Sequence, residues 1–542
     1  VSPSTVSRTC KDHPSISRQT KEKVRQAMAK LGYEPNFQAS SLATQNSRTI
    51  GIILPPSQWE AYQNAFYLEV IRGISQYCNQ KQYINTVVTG QNEDEILKVI
   101  KNMARTGLAE GFIVLYSKEQ DPVLDYLYEE GLLKERPEGF HEYATKVDYD
   151  AVRLHKEPYL REAFQAFLTS GGCETKDYQE FADQSWVYEY GAFRALKKAN
   201  GGCCWNEWKQ EDKMWPDART DLAPELETEV QYHMFLQYVF FSQWMKLKEK
   251  ANAYDIQIMG DVPFYVGVDS VDVWAAKDNF LLDTDGRPIF IAGVPPDYFS
   301  ATGQRWGNPI YNWEYLKENN YQFWVDRIGY SSKLFDIIRI DHFRAFDTFW
   351  KIPASCLTAV EGEWIEAPGY EVIDTLKEKI PGVNLVAEDL GDLRPEVLEL
   401  KDHYHLKGMK ILVFSIETKG KYAYDSFRDV ENMIVYTGTH DNDTLMEWYH
   451  NLTCAAKRKV RRFLTREGIR QGSVKDRLLA YTLKSKAEYA IIPMADILGQ
   501  GKEGHLNTPG TVGSPNWEWR MPDFTLAGKE LKRYKNLITF RN

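Results

Sequence analysis

Three acidic side chains close apolar runs in the second half of the chain, each beside a polar neighbour. Asp341 ends Ile337-Ile338-Arg339-Ile340 and lies between Arg339 and His342. Glu388 ends Asn384-Leu385-Val386-Ala387 and is followed by Asp389. Asp441 ends a run that starts at Met433, with His440 directly before it. A fourth acid, Asp261, ends Ile256-Gln257-Ile258-Met259-Gly260. One carboxylate after a strand commonly caps the next helix. Three of them, each next to a histidine, an arginine or a second acid, are better explained as working groups. Paired carboxyls suit glycosidic chemistry, one as nucleophile or base and one as proton donor.

The runs that carry these acids repeat one design. A further run, Met409-Lys410-Ile411-Leu412-Val413-Phe414, has the same form, and helical stretches separate the runs. Serial strand and helix units predict an α/β fold, a (β/α)8 TIM-type barrel. Such barrels place their chemistry at the C-terminal ends of the strands, where these charges fall. Residues 150–250 read as mostly helical and aromatic-rich, a set of helical insertions. Aromatics make up 13% of the chain, with 32 Tyr and 15 Trp. Their faces can stack on sugar rings or fill a core, and composition alone favours the core.

The body, residues 132–542, closely resembles the 4-α-glucanotransferases of the amylomaltase, or disproportionating enzyme, type. The longest matching motif is the loop from Pro295-Pro296-Asp297-Tyr298-Phe299 to Gln304-Arg305-Trp306-Gly307-Asn308-Pro309. Arg339 to Arg344, Ala387 to Gly391, Tyr436 to Asn442, Asn507 to Gly510 and Asn516-Trp517 complete the set. The resemblance implies a retaining transfer of glucan segments between maltooligosaccharides. It makes Asp341 the nucleophile, Glu388 the acid/base and Asp441 the third acid. Asp389 is the other conceivable acid, but the family pattern assigns Glu388. It implies that Arg339 keeps Asp341 ionised, that His342 and His440 bond sugar hydroxyls, and that Asp261 binds sugar or orders the site. Tyr298, Phe299, Gln304 and Trp306 would belong to a covering loop along the glucan path, with Phe414 as a further platform. The barrel is expected to lack its first strand, because the family's opening segments are not found here. Weak or absent activity is the consequence expected.

The head has a different character. Residues 1–48 hold eight Lys/Arg and three Asp/Glu, a net +5, against −10 for the whole chain, which leaves −15 for the rest. Ser2 to Arg8 reads as a short polar helix, and 17–31 as a second helix with Val24, Ala27, Met28 and Leu31 in one stripe. From Thr49 on, strands and helices alternate: strands at 50–54, 85–89 and 111–116, helices at 66–80 and 93–106. Thr5-Val6-Ser7-Arg8, Tyr33-Glu34-Pro35-Asn36, Ala39-Ser40-Ser41-Leu42 and the strand at Thr49 resemble the lactose-repressor family. The resemblance implies a partial helix-turn-helix with hinge over 1–48. Over 49–131 it implies a truncated, periplasmic-binding-protein-like β-α-β segment of a sugar-sensing core. It makes Pro3, Ser4 and Arg8 base-reading positions in the major groove and Leu42 a minor-groove wedge. Ser40 departs from the arginine common there. With the first helix of the motif missing, the head is expected to be a fragment without DNA binding of its own.

Near 125–133 the register changes with no Pro/Gly/Ser-rich linker, which suggests a fusion. Seven cysteines at no disulfide or zinc spacing fit a reducing cytoplasm. No apolar run is long enough to span a bilayer, and neither a metal nor an organic cofactor is expected. Two alternatives stand beside glucan transfer: a maltose-operon repressor fragment binding DNA, and a non-functional fusion.

Overall fold

The structure is a computed structural model. It describes residues 2–10, 13–31, 47–57, 66–116, 123, 126, 145–296, 300–391, 393–418, 424–425, 431–521 and 524–538. Leu42, Tyr298, Phe299 and most of the 125–133 junction lie outside the described residues. The chain forms two compact units, one of residues 1–144 with 522–525, the other of 145–521 with 526–542.

The first unit begins with helices Pro3–Cys10 and Arg18–Leu31. Of the predicted stripe Val24 is buried, while Leu31 is 80% exposed. A parallel sheet follows, with strands β1 (Thr49–Ile53), β2 (Ile84–Val88) and β3 (Gly111–Val114) in the order β2-β1-β3. Helix Glu93–Arg105 shows why this segment folds as it does. Asn92 caps it by accepting from the Glu95 amide, and three acids in its first turn face the positive end of the helix dipole. Ile96, Ile100 and Met103 recur on one face and are buried with Ile53 and Val88.

In the second unit, residues 149–252 are mostly helical. Helix Pro224–Asn252 packs on Ser185–Ala199. Gly191 permits the close approach, since a Cβ there would lie 2.9 Å from Val230. Parallel strands follow: β4 (Met259–Pro263) pairs with β7 (Ile337–Asp341), which pairs with β10 (Leu385–Ala387). An isolated parallel bridge, Val386 to Lys407, leads to β11 (Gly408–Ile411). That strand pairs with β14 (Met433–Tyr436), and β14 with β15 (Tyr489–Ile491). Between them lies a short pair, β12 (Ile416–Glu417) with β13 (Tyr424–Asp425). Tyr489 donates its hydroxyl to Gln257 Oε1 at 3.4 Å, so the last strand reaches the segment that leads into the first.

Two expectations need correcting. Gln304 and Trp306 are not loop residues. They lie on β6 (Gln304–Pro309), in an antiparallel sheet of order β6-β5-β8-β9 with β5 (Phe290–Val294), β8 (Thr348–Pro353) and β9 (Glu363–Glu366). Backbone pairing of Gly293 to Arg305 and Val294 to Gln304 draws that end of the stretch into the sheet. The run 409–414 is also not one strand: β11 stops at Ile411, and Leu412–Ser415 forms one helical turn.

Candidate active site

All the parallel strands of the second unit run the same way, so their C-terminal ends share one side. Asp341 is the last residue of β7, and Ala387 of β10 pairs with Ile340. Glu388 therefore follows in step beside Asp341, one strand spacing away, about 4.8 Å between backbones. The Glu388 amide donates to the Ile340 carbonyl at 3.1 Å, which extends the ladder to this point. On the other flank of β7, Asp261 of β4 is paired with Arg339.

One guanidinium ties two of these acids. Arg339 Nη1 donates to both oxygens of Asp261 at 2.7 Å, and Nη2 lies 2.8 Å from Asp341 Oδ1. Its Nε points at Met409 Sδ, 3.3 Å away. Buried among acids, Arg339 is held above its ordinary pKa: burial opposes its charge, but Asp261 and Asp341 more than offset this. The expectation that Arg339 keeps Asp341 ionised needs qualification. Burial, joined by the charges of Asp261 and Asp441, raises the Asp341 pKa despite Arg339.

Glu388 is pushed further, to about 7, by burial first and by the Asp341 charge second. Two backbone donors hold its orientation, His342 N–H to Oε2 at 3.0 Å and Leu390 N–H to Oε1 at 2.9 Å. The adjacent acid is locked away. Asp389 is paired with Lys401 at 2.9 Å and accepts from the Met409 amide at 2.6 Å. It packs on Gly408, where a Cβ would fall 2.2 Å from its Oδ2. Asp389 is thus held by an ion pair, whereas Glu388 has only backbone donors among the described residues.

Asp441 lies on the loop after β14. Asn507 donates to its Oδ1 at 2.6 Å, and His440 Nε2 is 3.3 Å from its Oδ2. Burial alone would raise this carboxyl; the hydrogen bonds from His440 and Asn507 bring it below the usual aspartate range. The pair shifts reciprocally, with His440 raised by its bond to Asp441. His342 moves the other way, lowered to about 3 by burial and by the Arg344 charge. It sits at φ 54°, and its ring lies edge-on to Trp306 with centroids 4.9 Å apart. One histidine is therefore neutral near neutral pH, and the other a partner for a carboxylate.

Trp306 also bonds Gln304 Oε1 through its indole N–H at 3.1 Å and keeps 38% of its surface exposed. Phe414 is 64% exposed on the turn after β11, at the strand-end side, with no ring partner among the described residues. Ser4 and Arg8 are exposed on the first helix of the other unit, which also carries Pro3. Sequence reading gave no role to Asn507, His505 or Glu447. Asn507 stood inside a quoted motif, but its partner is 66 residues away, and spacing along the chain does not reveal such a pair. Ligand atoms of Asp443, Glu447 and His505 lie within 4.8 Å of one another, a grouping that sequence spacing also hid.

The class follows from this arrangement: an enzyme with paired carboxyls at the ends of parallel strands in an α/β fold. A family model described as 4-alpha-glucanotransferase matches residues 113–526. The 4-alpha-glucanotransferase of Thermus thermophilus is 41% identical over 408 residues, 73% of this chain and 80% of that protein. That of Synechocystis is 41% identical over 416 residues, covering 73% and 80%. The solved amylomaltase from Streptococcus agalactiae in complex with acarbose superposes with a TM-score of 0.69 at 31% identity, over 83% of this chain and 94% of that one. The chain belongs to the 4-alpha-glucanotransferase family. A second model, bacterial regulatory proteins of the lacI family, matches residues 1–36, so the head is similar to that family over this short segment.

Proposed function

We propose that this chain moves 4-α-glucan segments between maltooligosaccharides, with retention, through a covalent glucosyl-enzyme. The observation that carries the reading is the pairing of Asp341 with a Glu388 whose pKa lies near 7, on neighbouring strands in step. Carboxyls in step on neighbouring strands can come within the separation of about 5–5.5 Å found in retaining enzymes.

Asp341 attacks the anomeric carbon as the glycosidic C–O bond breaks, and Glu388 gives its proton to the leaving oxygen. The acceptor's 4-hydroxyl then attacks the same carbon. It loses its proton to Glu388, and the bond to Asp341 breaks. A pKa near 7 suits a group that must give and then take a proton. Asp441, fixed by Asn507 and His440, grips ring hydroxyls of the distorted sugar. His342 and His440 bond further hydroxyls, and Asp261 holds Arg339 in place. Gln304, Trp306 and Phe414 line the glucan path, and for Tyr298 and Phe299 the same role rests on the family motif alone. A bound acceptor outcompetes water by its high effective concentration.

The fold is read as a (β/α)8 barrel without its first strand, and the working divisions as 1–48, 49–131 and 132–542. An unpaired stretch of barrel wall weakens closure, so turnover is set low. Incubation with maltotriose, followed by chromatography, tests both points. A ladder of shorter and longer maltooligosaccharides is expected, formed slowly. No ladder at all overturns glucan transfer, and a ladder as fast as that of the Thermus relative overturns the impairment alone. The repressor reading rests on the short lacI-family match and is tested below through Arg8.

A further inference from the structure

The loop that carries Asp441 is laced to a second segment, residues 505–508. Besides its side-chain bond to Asp441, Asn507 donates its backbone N–H to the His440 carbonyl at 3.1 Å. Leu506 accepts from the Trp517 amide at 2.7 Å, and the Trp517 ring lies 5.1 Å from that of His440. Behind Asn507, the His505 ring is held between two oxygens. Its Nδ1 meets Glu447 Oε2 and its Nε2 meets the Asn507 carbonyl, each at 2.9 Å. Glu447 stands in the first turn of helix Leu445–Asn451, capped by Thr444, and its side chain is only 12% exposed.

We propose that Glu447 and His505 are positioning residues that set the direction of the Asp441 carboxylate through Asn507. The inference rests on the reading of Asp441 as the third acid. A carboxylate on a loop, with 40% of its side chain exposed, is free to turn unless both oxygens are held. His440 holds one oxygen and Asn507 the other. Asn507 is itself on an irregular segment, so its amide is only as steady as what anchors it. The bond between a carboxylate and a histidine ring, stronger than a neutral hydrogen bond, ties that segment to a helix. The helix begins four residues after Asp441. Acid and holder are thereby fixed to one rigid element, as precise site geometry requires. The grouping of Asp443, Glu447 and His505 also has the look of a cation site. Yet both ring nitrogens of His505 already have oxygen partners, which accounts for the cluster without an ion.

The test uses the full chain with Glu447→Ala and Glu447→Gln, each alone and combined with Asp441→Asn. Glu447→Ala is expected to lower kcat on maltotriose between about ten- and a hundred-fold, the scale of a small misplacement, with KM little changed. Glu447→Gln keeps an oxygen for His505 and should recover most of the loss. In the Asp441→Asn background, Glu447→Ala should cost nothing more, because its effect runs through that acid. A crystal structure of Glu447→Ala should show the Asn507 amide off Asp441 Oδ1. His505→Phe, which keeps a ring but no nitrogen, takes its place if Glu447→Ala loses its cooperative melting. Three results overturn the proposal: an intact Asn507–Asp441 bond in the variant crystal, losses that add fully in the double variant, or inactivation of the unmodified chain by a chelator with recovery on adding a divalent cation. If the unmodified chain makes no product, glucan transfer fails by itself, and the crystal comparison still decides the positioning claim.

Discussion

The two compact units share an alternation of strands and helices and differ in how fully that alternation is covered. In the first, among the described residues, one small cluster around Ile53, Val88, Ile96 and Ile100 serves a three-stranded sheet. Leu68, Tyr77 and Ile84 remain more than half exposed, at 67%, 62% and 52%. In the second, two large clusters flank the parallel strands, and side chains as big as Trp274, Trp324 and Phe264 are wholly covered. The difference teaches what a continuous core adds. Alternation is enough to make a sheet. Only a thick apolar surround withdraws enough water to lift Glu388 to about 7 and drop His342 to about 3 on adjoining strand ends.

If chemistry belongs to the covered unit alone, the largest effect comes from its acids. Asp341→Asn should cut disproportionation of maltotriose by at least about 10⁴-fold, as loss of one member of a concerted set does, with melting retained. Activity within tenfold of the parent would break the comparison at its centre. Next is Arg339→Met, which leaves Asp261 and Asp341 facing each other without their shared cation. Urea unfolding of the second unit should lose about 1–2 kcal/mol, less than stripping a fully buried pair costs, because Asp261 and Asp341 keep 43% and 44% of their side chains exposed. An unchanged midpoint would show that the acids do not need it.

Glu388→Gln sharpens the contrast through pH. The folded pKa of about 7 lies above the ordinary glutamate value of 4.5. The unfolded chain therefore gives up this proton first as pH rises, and the native state is penalised progressively between those values. The stability this group contributes is full below 4.5 and lost as pH passes 7. The glutamine variant should match the parent in acid and exceed it above neutrality by at most about 3 kcal/mol. A parallel pair of stability curves across that range would refute the shift.

In the thinly covered unit, Ile52→Ala should cost about 2 kcal/mol, the low end for a buried isoleucine, and leave glucan transfer untouched. A matching loss of transfer would erase the distinction between the units. The smallest effect is that of Arg8→Ala, an exposed helix residue expected to shift stability by less than about 0.5 kcal/mol. Should the parent chain bind lac-type operator DNA in a salt-dependent way, and this variant not, the first unit has a function after all.

Much of the site was legible because each acid closes an apolar run. Strand ends are where barrels put chemistry, so Asp341, Glu388 and Asp441 could be singled out in order. Helix Glu93–Arg105 was legible too, as the helix expected at 93–106 within the alternation of strands and helices. The antiparallel sheet was not. Of its strands, Phe290–Val294 is apolar but for one glycine, Gln304–Pro309 mixes glycine, proline and polar residues, and neither alternates. The run 409–414 is apolar almost throughout, and such a run does not say where strand gives way to helical turn. Asn507, His505 and Glu447 stayed hidden for a different reason: their roles depend on contacts between segments far apart in sequence, which no local pattern encodes.

Gly408 carries a consequence for inheritance and engineering. The absent side chain there is filled by the carboxyl group of Asp389, which in turn sits one peptide bond from Glu388. Adding a single methyl group at 408 would be felt as a push along the backbone. An alanine at this position could therefore silence the enzyme while every acid, arginine and histidine of the site still reads correctly in the gene.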